Sequence, residues 1–165
     1  MTHRITGFVC LALALLLDQG SKALALSIPD LRNGIEILPV LNLVVVRNDG
    51  VSFGLFSGGV APWWTLAAFG GVIAAILLVW LWRAQSTLLA AALGLIIGGA
   101  IGNIIDRVRH GAVTDFLDFH AAGYHWPAFN FADAAIFCGV GFLLLDSWRS
   151  NPTRDEALTK GKRQR

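Results

Sequence analysis

Two aspartates occupy apolar surroundings that a surface carboxylate would not normally share. Asp115 is followed directly by Phe116, and Asp133 stands just before the uncharged segment Ala134–Leu145. Two aspartates held close together share one proton, because ionising both at short distance is costly. One can then activate water while the other protonates a carbonyl oxygen or a leaving amine, which are the two roles that peptide hydrolysis requires. Asp115 and Asp133 are therefore the first candidates for acid–base chemistry.

Simpler interpretations of these residues stay open at this stage. Asp133 alone could act as the N-terminal cap of a helix, where a carboxylate is favourable. Acidic and imidazole side chains in the same region could also ligate a metal ion, although short polar loops collect such residues by chance. The residues of that possible metal site are Asp115, Asp118, His120 and His125.

Nucleophilic catalysis is weakly supported by the sequence. Ser21 and Lys22 could suggest a Ser/Lys dyad, but adjacent residues on one helix point apart. Cys10 and Cys138 lie in predicted helices, and we expect both to be small buried apolar residues. The cysteines and histidines show no zinc-type spacing.

The composition indicates an integral membrane protein. Hydrophobic residues make up 55% of the 165 residues and charged residues only 15%, whereas soluble domains carry about 25% charged residues. No charge occurs in Val51–Trp82 or Ala84–Ile105, and a membrane-crossing helix needs roughly 20 apolar residues. Two further apolar segments surround Asp18 and follow Asp133. We predict an all-α membrane protein with four transmembrane helices, at about residues 5–28, 61–82, 85–106 and 130–148.

The first segment could instead be a cleaved signal peptide, since Arg4 precedes its apolar run. Asp18 and Lys22 argue against cleavage, because they fall where a cleavage region should be uncharged. With four crossings, eight of the 13 basic residues lie on one side, which the positive-inside rule makes cytoplasmic. Both termini are then cytoplasmic, with a single membrane domain at 1–150 and a basic tail at 151–165. The eight are Arg4, Arg83, Arg149, Arg154, Lys160, Lys162, Arg163 and Arg165.

The segments at 29–60 and 107–128 then face outward, and the first predicts a small extracytoplasmic β-sheet within 32–58. Ile37–Val46 is rich in β-branched residues and predicts one strand. Asn48-Asp49-Gly50 predicts a turn, and Val51-Ser52-Phe53 a second extended piece. The loop after helix three is polar, with Arg107, Arg109, His110, Asp115 and Asp118.

Helix three carries two patterns that indicate close packing and a polar network. Gly94, Gly98 and Gly102 repeat every four residues, which allows close approach of helices in lipid, within the bundle or between two copies of the chain. At its end, Asn103, Asp106 and Arg107 share one helical face.

From the residues alone, the chain has an outward-facing site built around aspartates. A protease and a proton-coupled carrier using Asp18 and Asp133 stay open, as does a non-enzymatic assembly factor using the glycine face.

The sequence resembles the prolipoprotein signal peptidases of bacteria, also called signal peptidase II, in four motifs that occur in the same order. They are Asp18-Gln19-Gly20-Ser21-Lys22, Arg47-Asn48-Asp49-Gly50-Val51-Ser52-Phe53-Gly54, the stretch from Gly102-Asn103 through Asp106-Arg107 to Asp115-Phe116, and Phe129-Asn130-Phe131-Ala132-Asp133-Ala134-Ala135-Ile136. Each motif alone is weakly specific, whereas the four together are highly specific.

The resemblance implies an aspartic endopeptidase of the bacterial cytoplasmic (inner) membrane whose catalytic pair is Asp115 and Asp133. It implies that the enzyme removes signal peptides from diacylglyceryl-modified prolipoproteins just before the lipidated cysteine. It also implies an active site at the outer face, contact with membrane lipids, inhibition by globomycin-type peptides, and no cofactor or metal. The net charge of +2 does not indicate nucleic-acid binding, and we expect a monomer. The residues expected to bind substrate or support the pair are Asp18, Lys22, Asn48, Gly50, Asn103, Asp106, Arg107 and Asn130.

Two positions depart from the family pattern. Gly20 replaces a larger apolar residue, which predicts looser local packing. Asp49 adds a negative charge to the second motif, close to the expected substrate path.

Overall fold

The computed structural model describes residues 2–50 and 62–149. Four helices in these parts of the chain are long and apolar enough to cross a membrane, and a small antiparallel sheet accompanies them. The predicted fold class is therefore confirmed. The elements are α1 (Thr2–Ser27), a 3-10 helix (Pro29–Arg32), β1 (Ile35–Leu38), β2 (Leu41–Asn48), α2 (Trp63–Trp82), α3 (Thr87–His110), β3 (Val113–Ala121), β4 (Tyr124–His125) and α4 (Phe131–Arg149).

Helix α3 is the centre of the bundle and packs against the other three helices. Half of its most apolar window is buried, against 11–22% for the others. Leu81 of α2 packs with Leu93 and Ile97 of α3 in the main apolar cluster. Large apolar side chains such as Phe69 and Phe137 point outward, as expected for helices surrounded by lipid.

The glycines of α3 allow its backbone to approach α1 and α4. Gly94 lies against Gly7 and Gly98 against Leu11 of α1, while Gly99 lies against Ala132 of α4. A side chain at any of these positions would overlap the neighbouring backbone. Of the two uses that the glycine pattern allows, Gly94 and Gly98 serve packing within the bundle.

The predicted sheet exists, but its strands differ from the sequence-based prediction. Ile37–Val46 is two strands rather than one, because the chain turns between Leu38 and Leu41. Pro39 lies in this turn and cannot donate to a strand partner, which explains the break. The sheet order is β1-β2-β3-β4. The second extended piece predicted at 51–53 lies outside the described residues.

Asp115 lies on a strand rather than in a loop, which corrects the prediction for this segment. Strand β3 pairs with β2, so that Asp115 is opposite Val46 and Val113 is opposite Asn48. The segment combines valine, threonine and phenylalanine, which favour strands, with aspartates that favour turns. The hydrogen bonds that this segment forms with β2 stabilise the strand conformation. The resulting strand carries Asp115 back toward the bundle.

Helix α3 runs about one turn beyond its predicted end at residue 106. Arg107, Arg109 and His110 therefore lie in its last turn instead of the following loop. Gly111 ends the helix with a φ of 73°, a left-handed conformation that favours glycine, and donates its N–H to the carbonyl of Arg107.

Two predictions of packing are wrong. Cys138 is exposed, because it lies on the outward side of α4. A side chain added at Gly20 would meet no atom within 4 Å, so Gly20 leaves no gap in the bundle.

Candidate active site

A cluster of buried polar side chains lies at one end of the bundle, where the later part of α1, the last turns of α3, strand β3 and the start of α4 meet. Such groups are stable in an apolar interior only when they pair with one another. The buried members among the predicted site residues are Asp18, Lys22, Asn103, Asp106, Arg107, Asp115 and Asn130.

Asn130 and Asp133 cap the first turn of α4 reciprocally. The side-chain oxygen of Asn130 accepts the backbone N–H of Asp133 at 3.0 Å, and Oδ2 of Asp133 accepts the backbone N–H of Asn130 at 3.4 Å. This is the geometry of a capping box, which stabilises a helix start. Asp133 thus takes part in capping, but the N-cap residue is Asn130 and Asp133 is the third residue of the helix. This leaves Oδ1 of Asp133 to interact elsewhere.

Asp115 is held by two asparagine side chains. Its Oδ1 accepts an N–H from Asn130 at 2.6 Å, and its Oδ2 accepts an N–H from Asn48 at 2.9 Å. Only 2% of Asp115 is exposed. Burial raises the pKa of Asp115 to about 6, the hydrogen bond from Asn48 opposes this rise, and the negative charge of Asp133 adds to it. The carboxyl group is thus able to exchange a proton near neutral pH.

Asn103 connects Asp133 to the same network. Its Nδ2 donates to Oδ1 of Asp133 at 3.0 Å, and its Oδ1 accepts from Asn130 at 3.3 Å. Lys22 also donates to this oxygen at 2.9 Å. Because both donors need the oxygen of the Asn103 amide, the amide can present only its nitrogen to Asp133.

Lys22 is one of the two buried cations of this cluster, together with Arg107. Its Nζ lies 2.9 Å from Oδ2 of Asp18, 2.9 Å from Oδ1 of Asn103 and 3.1 Å from Oδ2 of Asp106. An ammonium group has three N–H donors, and three acceptors surround it here. The same Lys22 that holds Asn103 is therefore held in place by two carboxylates.

Asp18 and Asp106 connect the helices to the elements that carry the catalytic candidates. Oδ1 of Asp18 accepts the backbone N–H of Ala132 at 2.9 Å, at the positive N-terminal end of α4. Oδ2 of Asp106 accepts the backbone N–H of Thr114 at 2.9 Å, next to Asp115 on β3. Both carboxylates thereby position the segments that contain Asp115 and Asp133.

Arg107 connects the cluster to the turn after β2. Its Nη2 donates to the carbonyl of Gly50 at 2.7 Å, and the N–H of Gly50 donates to Oδ1 of Asn48 at 3.0 Å. With its oxygen bound to Gly50, Asn48 presents its nitrogen to Asp115. Each of the ten predicted site residues thus belongs to one connected network, Gly50 through its backbone alone.

Sequence reasoning missed three contributors to this network. Gln19 was part of a recognised motif but received no role, although its Nε2 lies 3.0 Å from Oδ2 of Asp18 and 3.4 Å from Oδ1 of Asp106. Its position beside an aspartate in an apolar helix was the available signal. Thr114 and Ala132 contribute through backbone N–H groups, which leave no signal in a side chain.

The described residues do not bring together the groups that a Ser/Lys dyad or a metal site would need. Ser21 donates to the backbone carbonyl of Asp18, whereas Lys22 is buried among carboxylates. His125 lies 2.9 Å from Asp118 and stacks on His120. Burial disfavours ionisation of Asp118, but hydrogen bonds from His125 and Asn42 lower its pKa below the usual value. Among residues 2–50 and 62–149, no three His, Cys, Asp or Glu side chains form a group able to hold a metal ion.

An apolar cavity of roughly 260 Å³ adjoins Asp133. Asp133 is the only carboxylate among its described lining residues. Such a cavity can accept an alkyl chain or an apolar side chain beside the carboxylate. The described lining residues are Trp126, Phe129, Asp133, Ala134, Phe137 and Cys138.

Residues 10–149 match the protein family described as signal peptidase (SPase) II. The chain is 42% identical over 153 residues to the lipoprotein signal peptidase of Beijerinckia indica, covering 91% of this chain and 92% of the relative. It is 47% identical over 157 residues to the lipoprotein signal peptidase of Methylorubrum extorquens, covering 92% of this chain and 91% of the relative.

The fold is similar to that of a bacterial membrane enzyme whose structure was determined by the in meso method at 2.3 Å resolution. The TM-score is 0.71 at 28% sequence identity, and the match covers 87% of this chain and 88% of that enzyme.

Proposed function

This chain belongs to the signal peptidase II family, and we propose that it removes signal peptides from diacylglyceryl-modified prolipoproteins by an aspartic mechanism. Membership of the family makes it a peptidase. The aspartic mechanism and cleavage just before the lipidated cysteine are the parts that we propose. The observation that carries the proposal is that Asn130 contacts both Asp115 and Asp133 within one buried network.

In the proposed mechanism, Asp115 and Asp133 share one proton. The ionised carboxylate accepts a proton from water as the water oxygen attacks the scissile carbonyl carbon. The protonated carboxyl group donates its proton to the carbonyl oxygen, which forms a tetrahedral intermediate. Proton transfer to the amide nitrogen then allows the C–N bond to break. The products are the carboxyl terminus of the signal peptide and the free amine of the cysteine.

The other site residues act by holding this pair in place. Asn48, Asn103 and Asn130 donate hydrogen bonds to carboxylate oxygens, which fixes the direction in which each carboxyl group faces. Preorganisation of this kind reduces the rearrangement needed in the transition state. The apolar cavity beside Asp133 suits an alkyl chain or apolar residue of the substrate. Binding of globomycin-type inhibitors and activity as a monomer are further expectations.

The orientation in the membrane is also proposed. Arg4 lies in the first turn of α1, Arg83 follows α2 and Arg149 ends α4, so all three lie at the end of the bundle opposite the aspartates. The positive-inside rule then makes that end cytoplasmic and places the site at the outer face of the cytoplasmic membrane. Tryptophans lie at both ends of α2, with Trp63 and Trp64 at its start and Trp80 and Trp82 at its end. These positions fit the two membrane interfaces.

The test is cleavage of a purified diacylglyceryl-modified prolipoprotein in detergent with EDTA present. Wild type should release the signal peptide, while Asp115→Asn and Asp133→Asn should lose at least about 10³-fold in rate, as expected for removal of an essential acid–base group. Asp118→Asn is the matched control, because Asp118 lies on the same strand but outside the network. Near-normal cleavage by either site variant would exclude the dyad. Loss of activity on EDTA treatment would favour a metal mechanism instead.

A further inference from the structure

A second cavity lies between the end of α1, the 3-10 helix and strand β2, apart from the aspartate network. Its volume is roughly 320 Å³. It shares no described lining residue with the cavity beside Asp133. The described lining residues are Ala25, Leu26, Ile28, Arg32, Val45 and Arg47.

The charged side chains among the described lining residues of this cavity are both arginines. Arg32 and Arg47 are both exposed, and neither forms an ion pair with any residue in the described parts of the chain. No carboxylate is among the lining residues that the structure describes. Two guanidinium groups that share a cavity without an acidic partner repel each other, and an anion bound between them would remove that repulsion.

The backbone at both arginines is held by packing or by strand pairing. Leu31, next to Arg32, is 2% exposed and packs with Ala25 and Phe116 in an apolar cluster. Arg47 lies within β2, and its backbone is paired with Thr114 of β3. The backbone positions from which the two arginines extend are therefore held by packing and by strand pairing.

The cavity adjoins the end of α1, and the end of a membrane-crossing helix is where lipid headgroups meet the protein. Helix α1 crosses the membrane and ends at Ser27, so Leu26 and Ile28 flank the end of a crossing. Leu26 is 41% exposed just before this point, and with Ala25 and Ile28 it lines the cavity. An apolar wall thus leads from the bilayer interior to the two arginines. A phospholipid has the same order of groups, an acyl chain followed by a charged phosphate.

We propose that this cavity binds one anionic phospholipid, with its phosphate between Arg32 and Arg47 and its acyl chain along Leu26 and Ile28. Arginine suits this ligand because its guanidinium group can donate two parallel hydrogen bonds to phosphate oxygens. The lipid would bridge the end of α1 and the sheet that carries Asp115. The inference requires only that the chain spans the membrane, and it is independent of the peptidase mechanism.

The test measures binding of phosphatidylglycerol and phosphatidylcholine to the full-length protein in detergent by native mass spectrometry. Wild type should prefer phosphatidylglycerol. Arg32→Gln and Arg47→Gln should each weaken that binding about fivefold, and the double variant about 25-fold, the effect expected from one basic residue at a membrane surface. Phosphatidylcholine binding should not change. The control is Arg109→Gln, because Arg109 is an exposed arginine at the same end of the bundle but outside the cavity.

Measurements on the wild type keep the test independent of how the variants fold. Rising salt should weaken phosphatidylglycerol binding and leave phosphatidylcholine binding unchanged. Equal affinity for the two lipids, or full retention of the preference in the double variant, would overturn the proposal. Inorganic phosphate that binds as tightly as the lipid would identify a phosphate site rather than a lipid site. An acidic peptide that binds while phosphatidylglycerol does not would assign the arginines to a polypeptide.

Discussion

The side-chain nitrogen of Asn130 lies 2.6 Å from Oδ1 of Asp115, and the side-chain oxygen of Asn130 caps helix α4 at the backbone N–H of Asp133. The same amide thus uses its nitrogen on one catalytic candidate and its oxygen on the backbone of the other. Any movement of α4 relative to β3 has to break one of these hydrogen bonds. The relative position of the two aspartates is therefore coupled to the capping of α4.

Replacing Asn130 should separate these two roles. Asn130→Ala removes the cap and the donor to Asp115, so we expect loss of cleavage together with about 0.5–2 kcal/mol of stability. Asn130→Ser keeps an oxygen for the cap but lacks the N–H that Asp115 accepts, so it should be more stable than Asn130→Ala and still impaired in cleavage. Thermal unfolding in detergent and the cleavage rate measure the two effects. Full activity of the serine variant would show that the Asp115 contact is dispensable.

Cleavage should decline as the pH rises through about 6. The pKa of Asp115 is raised to about 6, mainly by burial, so a higher pH removes the proton that the pair must share. The cleavage rate falls rather than rises with pH, because only the singly protonated pair has both an acid and a base. Beyond that pH, kcat/KM should fall about tenfold per pH unit. The raised pKa also contributes stability that is complete below the unfolded-state pKa of about 4 and is lost as the pH passes about 6.

Asn48→Ala should move this decline to higher pH. The hydrogen bond from Asn48 lowers the pKa of Asp115, so its removal should raise that pKa further. Asn42→Ala is the matched control, because Asn42 lies on the same strand but donates to Asp118. The pH profile of kcat/KM measures the shift. An identical profile for wild type and Asn48→Ala would show that the decline does not report on Asp115.

Lys22→Met should destabilise the protein strongly. The substitution leaves the carboxylates of Asp18 and Asp106 buried without their cation, and breaking a buried pair costs about 3–5 kcal/mol. Adding Asp106→Asn to Lys22→Met should recover part of the loss, because it removes one of the unpaired charges. Unfolding measurements on the two single variants and the double variant test this coupling. Strict additivity of the single effects would contradict the ion pair.

Gly102→Ala should impair the site through a steric effect. A Cβ at Gly102 would overlap Oδ2 of Asp18, and Asp18 holds the backbone of Ala132 at the start of α4. We expect a lower unfolding temperature and reduced cleavage. Gly20→Ala is the control, since a Cβ there meets no atom within 4 Å and alanine favours a helix. It should be neutral or slightly stabilising, and equal effects of the two substitutions would show that the clash at Asp18 is unimportant.

The sequence by itself determined the membrane-spanning helices and the identity of the polar residues. Long uncharged segments predicted four crossings, and a glycine every four residues in α3 predicted close helix packing. These signals are local, because burial of a helix in lipid depends on the composition of that helix alone. The recognised motifs also contained all ten predicted site residues.

Only the tertiary structure decided how these residues are connected. The strand character of the Asp115 segment arises from its pairing with β2, a part of the chain about 70 residues away. The contacts of Lys22 with Asn103 and of Arg107 with Gly50 also join distant segments. No local pattern encodes them, since a hydrogen bond between distant side chains exists only after the helices and the sheet have packed. The sequence therefore specifies which groups are present, and the packing of α3 against its neighbours specifies which atoms they bind.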